Sequence, residues 1–423
     1  MKNIITKTLL FVLFLTLVTA LLLYKVILIS NIPGSPTFWT FYGIIATVFL
    51  VTRIPYAYLY KDNHNEKYNH YDYPDVSVII AVKNEEDGIF KTIATCLESD
   101  YTGDIECIVI DDGSTDNTRN EILRAQKYFG KDIINLIIFP VNKGKREAMA
   151  AGISESKNEI IIFVDSDSFL AKDAMTHITE HFLQNEKIGA VSGNTKVENR
   201  KKNLLTRMQS IQYSVSFNIY KASESVHKSV TCCPGCFSAY RKIAIEPLVE
   251  EWKTQRFLGS VGTFGDDRGL TNFVLKKWDI VYCQNALATT VAPEKFRVYL
   301  KQQLRWKKSW IREGVFASIF MWKKRHPLAS FAFYTNFTFP IVGPILAGIV
   351  LYKSIITNNP LLFLIFISGF IILGLIFSLF TRIYLGEEDW IYMPFVSILF
   401  IFVFMWQMPW ALLTLKKTHW GTR

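Results

Sequence analysis

Apolar residues gather at both ends of this chain around an ordinary polar–apolar mixture, and that arrangement rules out a purely soluble fold. Leu9 to Ile29 carries one charge, Lys25, and is long enough to cross a bilayer at about 20 residues per helix. A second run, Phe38 to Leu59, is broken only by Arg53. A cleaved leader is the alternative for the first run, but its apolar core is too long and another run follows at once. Three more blocks close the chain: Leu328 to Tyr352, Leu361 to Arg382 and Ile391 to Leu415. The 423 residues therefore divide into two membrane helices (1–60), a globular domain (61–298), an amphipathic interfacial stretch (299–326), C-terminal membrane or re-entrant helices (327–415) and a short tail (416–423).

The formal charge is +10, from 47 Lys and Arg against 37 Asp and Glu. The cations stand beside the apolar runs: Lys2 and Lys7 before the first, Lys301, Lys307, Lys308, Lys323, Lys324 and Arg325 before the third, Lys416 and Lys417 after the last. That is the positive-inside pattern, with anionic lipids of the inner leaflet as partners, rather than nucleic-acid binding. It puts the centre and the C-terminus in the cytosol of a multi-pass plasma-membrane protein, with the uncharged loop 31–37 outside. Equal sidedness of centre and tail demands an even number of crossings after the domain. The last block, carrying Pro394 and Pro409, is then expected to be bent or re-entrant.

The centre alternates strand and helix patterns. Strands are expected at 76–82, 105–110, 133–139 and 159–164, and helices at 88–98, 115–129, 145–156 and 171–183. Such alternation implies an α/β domain with a mostly parallel sheet covered by helices. In such sheets ligands sit beyond the carboxyl ends of the strands. Lys83-Asn-Glu85, Asp111-Asp112-Gly-Ser and Asp165-Ser-Asp167 end the first, second and fourth strands, so they converge on one carboxylate-rich rim.

Asp165 and Asp167 offer hard oxygen donors for Mg²⁺ or Mn²⁺ held against a diphosphate, and strand alternation would turn both to one side. Asp112 could contact a base and ribose, although Asp-Asp-Gly-Ser alone is more often a turn and cap. Lys143 and Lys145 flank Gly144 and offer cations for phosphate, or a solvated turn. In Gly265-Asp-Asp267-Arg268, Asp267 is the candidate general base toward a hydroxyl. Asp266 would bind substrate beside it or cap a helix beginning near Leu270. Gln302, Arg305 and Trp306 stand at i, i+3 and i+4, on one helix face, and supply a neutral donor, a phosphate fork and a stacking surface. The six cysteines form no disulfide framework; Cys232-Cys-Pro-Gly-Cys236 lacks a fourth zinc ligand at the usual spacing and reads as a thiol cluster lining a pocket.

With these motifs, over nearly its full length, the chain resembles the processive, membrane-embedded family-2 glycosyltransferases of GT-A fold: hyaluronan, chitin-oligosaccharide and cellulose synthases and certain capsule synthases. Asn142-Lys-Gly-Lys-Arg146, Val164-Asp-Ser-Asp167, Gly265-Asp-Asp-Arg268, Gln302-Gln-Leu-Arg-Trp306 and Trp420-Gly-Thr-Arg423 are most similar to bacterial hyaluronan synthases. The resemblance implies that Lys83, Glu85 and Asp112 hold UDP, Asp165 and Asp167 the diphosphate and metal, and Gln302 and Arg305 steady the diphosphate. Asp267 would deprotonate the acceptor, Trp306 stack on its sugar, and the tail with Trp420 and Arg423 gate the loaded site. The partners implied are UDP-GlcA and UDP-GlcNAc, or another UDP-sugar, and the growing polysaccharide; no obligate protein partner is inferred. At Cys232 to Arg241, in the family a lining of the acceptor site that here includes Cys236, the sequence is nearer to chitin-oligosaccharide or other capsule synthases. A single-donor chitin-type or other capsular polymerase, or a transferase to a lipid carrier, therefore stays open beside the hyaluronan-synthase reading.

Overall fold

The computed structural model describes residues 16, 23, 48, 53–62, 73–262 and 264–416. The two N-terminal apolar runs, apart from residues 16, 23 and 48 and the helical stretch 53–59, and the tail residues Trp420 and Arg423 lie outside the described residues.

The centre folds around an eight-stranded sheet in the order β3-β2-β1-β4-β7-β6-β10-β5. Its elements are β1 (Val76–Val82), α1 (Ile89–Leu97), β2 (Ile105–Asp112), α2 (Thr118–Phe129), β3 (Ile134–Phe139), α3 (Lys145–Glu155), β4 (Ile160–Phe163), β5 (Ser168–Leu170), α4 (Ala174–Gln184), β6 (Ile188–Val197), α5 (Leu204–Val215), β7 (Ser238–Arg241), the short hairpin β8 (Arg256–Phe257) and β9 (Ser260–Val261), α6 (Asp266–Leu275) and β10 (Asp279–Thr290). The apolar run of β1 is sandwiched. Val76, Val78, Ile80 and Val82 pack with Ile89 and Ile93 of α1 on one face. Ile79 packs with Met149 and Ile153 of α3 on the other. Each such fully buried side chain contributes about 1.5–3 kcal/mol, so period-two alternation fixes which face every helix covers.

The sheet is more mixed than the strand–helix alternation predicts. β1, β2, β3 and β4 run parallel, and β10 is parallel to β6, but β7 is antiparallel to both β4 and β6, and β5 to β10. The antiparallel pairs join strands distant in sequence: β5 pairs with β10 rather than with β4, and β7 enters between β4 and β6 only after the long excursion through α5.

Beyond β10 a long helix, α7 (Phe296–Ser318), lies against the domain and buries Lys308, Arg312 and Glu313 within the protein. Two apolar helices follow, α8 (Pro327–Ile356) and α9 (Leu361–Leu385), of about 45 and 38 Å at 1.5 Å per residue, both longer than a bilayer's hydrocarbon core. The last apolar block, Glu388 to Leu413, is bent by 42° between its two helical parts, so among the described residues two or three segments are long and apolar enough to cross a membrane. Arg200 and Arg207 reach the buried Asp389 at 3.3 and 3.4 Å, tying the loop after β6 and the first turn of α5 to the start of this bent block.

Candidate active site

β2, β1 and β4 are neighbours in the sheet, so their carboxyl ends do converge on one rim. After β1 the chain turns through Asn84 at φ 53°, and Glu85 N–H donates to Thr118 Oγ1 at 2.8 Å. Asp111 is consumed by its own turn, accepting from Ser114 N–H at 2.8 Å and pairing with Arg119 at 3.0 Å. Asp112 accepts from the backbone N–H groups of Lys143 (2.6 Å) and Gly144 (2.9 Å), which clamps the Lys143–Lys145 loop over the rim. Burial raises the pKa of Asp112, against the pull of those N–H groups and of the Lys83 ammonium.

Asp165 and Asp167 sit in the turn between β4 and β5, not on the strand itself, so turn geometry rather than strand alternation aims them. Lys145 forms an ion pair with Asp165. Burial works against the Lys145 charge, but Asp165, with Asp267 and Asp266 beyond it, outweighs burial and lifts its pKa above the ordinary value. Asp167 lies 3.5 Å from the Thr290 hydroxyl at the end of β10. Lys143 diverges from this cluster: it is exposed and its ammonium rests over the Phe139 ring at 4.5 Å.

The cysteine-rich segment covers the same carboxylates. A Cβ on Gly235 would come within 2.7 Å of Asp165 Oδ1 and 2.8 Å of Lys145 Nζ, so only glycine lets the segment approach this closely. Burial pushes the Cys236 thiol's pKa well up and the negative fields of Asp165 and Asp167 push it further, while the Cys232 thiol faces Asp267 Oδ2 at 3.9 Å. Cys233 is fully buried beneath them.

α6 begins at Asp266, four residues earlier than expected, with Gly265 as its left-handed N-cap (φ 77°). Asp266 is therefore not a cap. It is buried against Arg146, which donates to it at 2.8 Å and to Trp252 O at 2.7 Å. Asp267, in the first turn of α6, is half-buried and accepts from Arg268 N–H at 2.8 Å, leaving its second oxygen toward the cysteine segment. The pentad is helical, within α7. Trp306 is 40 % exposed, with its ring centroid 6.4 Å from that of Tyr213 of α5. Gln302 Oε1 is buried without a hydrogen-bond partner among the described residues.

Several residues of this rim escape a reading of the sequence. Tyr213 has no local signature, yet burial and then Cys236, Asp167 and Asp165 drive its phenol's pKa upward, which puts it among the site's anions. Ser309 and Arg312 of α7 meet Gly265 and Gly262 across the helix contact.

Fold and rim together define an α/β nucleotide-sugar transferase of GT-A type. The family described as glycosyl transferase family 2 matches residues 77–249. Hyaluronan synthase of Streptococcus pyogenes serotype M3 is 30% identical over 389 residues, covering 90% of each chain. The N-acetylglucosaminyltransferase of Mesorhizobium japonicum is 36% identical over 251 residues, 58% of each chain. Among solved structures, a mannosyltransferase of Pyrobaculum calidifontis in complex with GDP-Man and Mn²⁺ superposes with a TM-score of 0.54 at 16% identity, over 90% of this chain and 99% of that one, a likeness of fold. The chain belongs to the family-2 glycosyltransferases and is related over most of its length to the bacterial hyaluronan synthases.

Proposed function

We propose that this enzyme polymerises UDP-GlcA and UDP-GlcNAc into a hyaluronan-like polysaccharide and passes the chain outward through its own membrane helices, working from a cytosolic domain at the plasma membrane. The observation that carries this reading is the Lys145–Asp165 ion pair at the β4–β5 turn, near enough to Asp267 of α6 for its charge to act on Lys145, which joins a diphosphate-binding group to an acceptor base. The 90% mutual coverage with a hyaluronan synthase supports the polymer.

In this reading Lys83, Glu85 and Asp112 hold the uridine end, while Lys143 and Lys145 meet the phosphates. Gln302, donating through its side-chain NH2, and Arg305 steady the diphosphate. The acceptor hydroxyl lies against Asp267, with Asp266 and Cys236 lining its pocket and Trp306 stacking on the sugar. The acceptor oxygen attacks the anomeric carbon as its proton passes to Asp267. The bond from that carbon to the diphosphate breaks, UDP leaves, and configuration inverts without a covalent enzyme intermediate.

Asp165 and Asp167 fit a divalent cation: both are hard oxygen donors in one turn, and the Lys145 ammonium paired with Asp165 shows that this carboxylate draws a cation. Mg²⁺ or Mn²⁺ there would neutralise the leaving diphosphate. The bend in the last apolar block supports a re-entrant segment that keeps the domain and tail on one side, with the tail bearing Trp420 and Arg423 as a gate.

Donor dependence in isolated membranes tests the reading. High-molecular-mass product is expected only with both donors present and is degraded by a hyaluronan-specific lyase. Product from UDP-GlcNAc alone would instead establish a chitin-type polymerase, the second reading, favoured by the cysteine-rich acceptor segment and by the N-acetylglucosaminyltransferase relative. Trp306→Ala is expected to lower use of an added oligosaccharide acceptor about 2- to 10-fold, from about 0.5–1.5 kcal/mol of lost stacking, with the donor KM unchanged. Unaltered rate and product length would make Trp306 an interfacial anchor.

A further inference from the structure

Remote from the rim, three unlike donors meet where the chain enters the domain. Asp62 follows the helical stretch 53–59, His181 stands on α4 and Cys283 on β10. Their ligating atoms all lie within 4.8 Å of one another, and His181 and Cys283 are buried. Asp62 Oδ1 is 3.1 Å from His181 Nε2, and Asp62 Oδ2 is 3.6 Å from Cys283 Sγ. Asp62 Oδ2 also accepts from Asn285 N–H at 2.8 Å, and Cys283 Sγ lies 3.5 Å from His177 O.

The backbone is shaped to bring these groups together. Between the paired residues Tyr282↔Ser192 and Leu287↔Asn194, β10 bulges outward from β6. The bulge carries Cys283 and the Asn285 N–H to Asp62, and Asn194 Nδ2 fixes it by donating to Gln284 O at 2.9 Å. Tyr60 donates to Tyr282 O at 2.5 Å just upstream, so the segment leading in from the membrane side is fastened along this strand.

We propose that Asp62, His181 and Cys283 bind a zinc-class divalent ion, a structural metal site separate from the Asp165–Asp167 pair. One carboxylate, one imidazole and one thiolate make a borderline-soft donor set, which suits zinc and disfavours the magnesium or manganese expected at the rim. Tetrahedral zinc with bonds of about 2.0–2.3 Å sets its ligand atoms about 3.3–3.6 Å apart. The contacts run to the two different oxygens of Asp62, 3.1 Å from Oδ1 to His181 and 3.6 Å from Oδ2 to Cys283. One ligand atom from each residue lies within 4.8 Å of the others, so small side-chain rotations close the set about one ion. Binding exchanges the Cys283 S–H bond for a metal–sulfur bond and the thiol proton leaves to solvent, while a proton that His181 Nε2 shares with Asp62 moves to Nδ1 or to solvent so that Nε2 presents its lone pair. The ion then clips the membrane-proximal segment to α4 and β10, beside the Asp62 hydrogen bonds and the Tyr60–Tyr282 ring contact.

Metal content of the full chain, purified in detergent without chelator, tests this apart from any polymer assay. About one zinc per chain is expected, falling at least tenfold in Cys283→Ser and in His181→Ala and unchanged in Asp165→Asn. Wild-type protein stripped and refilled with Co²⁺ is expected to show thiolate-to-metal charge-transfer absorption, a readout that needs no variant. Absence of both zinc and that absorption would leave a hydrogen-bonded triad only and overturn the proposal. Zinc retained in His181→Ala would move the metal to other ligands and overturn it equally.

Discussion

Asp267→Asn is expected to reduce polymer synthesis by about 10²- to 10⁴-fold, the usual contribution of a positioned general base, while UDP binds as before. The substitution keeps the shape of the side chain and its acceptance of the Arg268 N–H at 2.8 Å, so α6 loses no backbone partner. What disappears is the oxygen that faces the cysteine-rich segment, where an acceptor hydroxyl would need to deliver its proton. Lys145 would also lose one of the carboxylates that hold its charge, but Asp165, its direct ion-pair partner, remains. Initial rates with both donors, read beside UDP affinity by calorimetry, separate the two halves of the reaction. Polymerisation within tenfold of wild type would refute Asp267 as the base, and loss of UDP binding would assign it to the donor side.

Much of this site could be read from the sequence because its parts lie at strand ends. The β-branched runs of β1, β2 and β4 fix where each strand stops, and parallel order brings Glu85, Asp112 and Asp165 to one edge. The first strand runs over 76–82 as expected, and the early helices shift by one to three residues at their ends. Contacts between distant segments left no such trace. The antiparallel insertion of β7 depends on where the chain returns after the long excursion through α5, which local periodicity does not encode. Tyr213 looks like any helical aromatic until α5 is set beside Cys236 and Trp306. Asp266 reads as a cap because Asp favours helix starts, but the partner that decides its role, Arg146, lies 120 positions away. The same distance in sequence hides Asp62, His181 and Cys283 from any spacing rule.

Alanine at Gly265 is expected to destabilise the protein by about 2–5 kcal/mol and to stop synthesis even where the chain still folds. Two costs add. The residue holds φ at 77°, a left-handed conformation that costs a side-chain-bearing residue about 1–2 kcal/mol. A Cβ there would also overlap Ser309 Oγ and come within 2.5 Å of Ser309 Cβ, and overpacking of this kind costs about 1–3 kcal/mol. Ser309 stands on α7, one turn beyond Trp306, while Gly265 immediately precedes Asp266 and Asp267. The contact therefore sets the distance between the helix carrying the pentad and the helix carrying Asp267, the proposed base, and a wedge there moves one away from the other. Catalytic groups displaced by about 1 Å lose on the order of 10²-fold in rate. The double variant Gly265→Ala, Ser309→Gly separates the two costs, since it removes the overlap and keeps the backbone strain. Thermal unfolding in detergent should then recover in part and synthesis more fully. Full activity in Gly265→Ala alone would show that the spacing of α6 and α7 does not govern transfer.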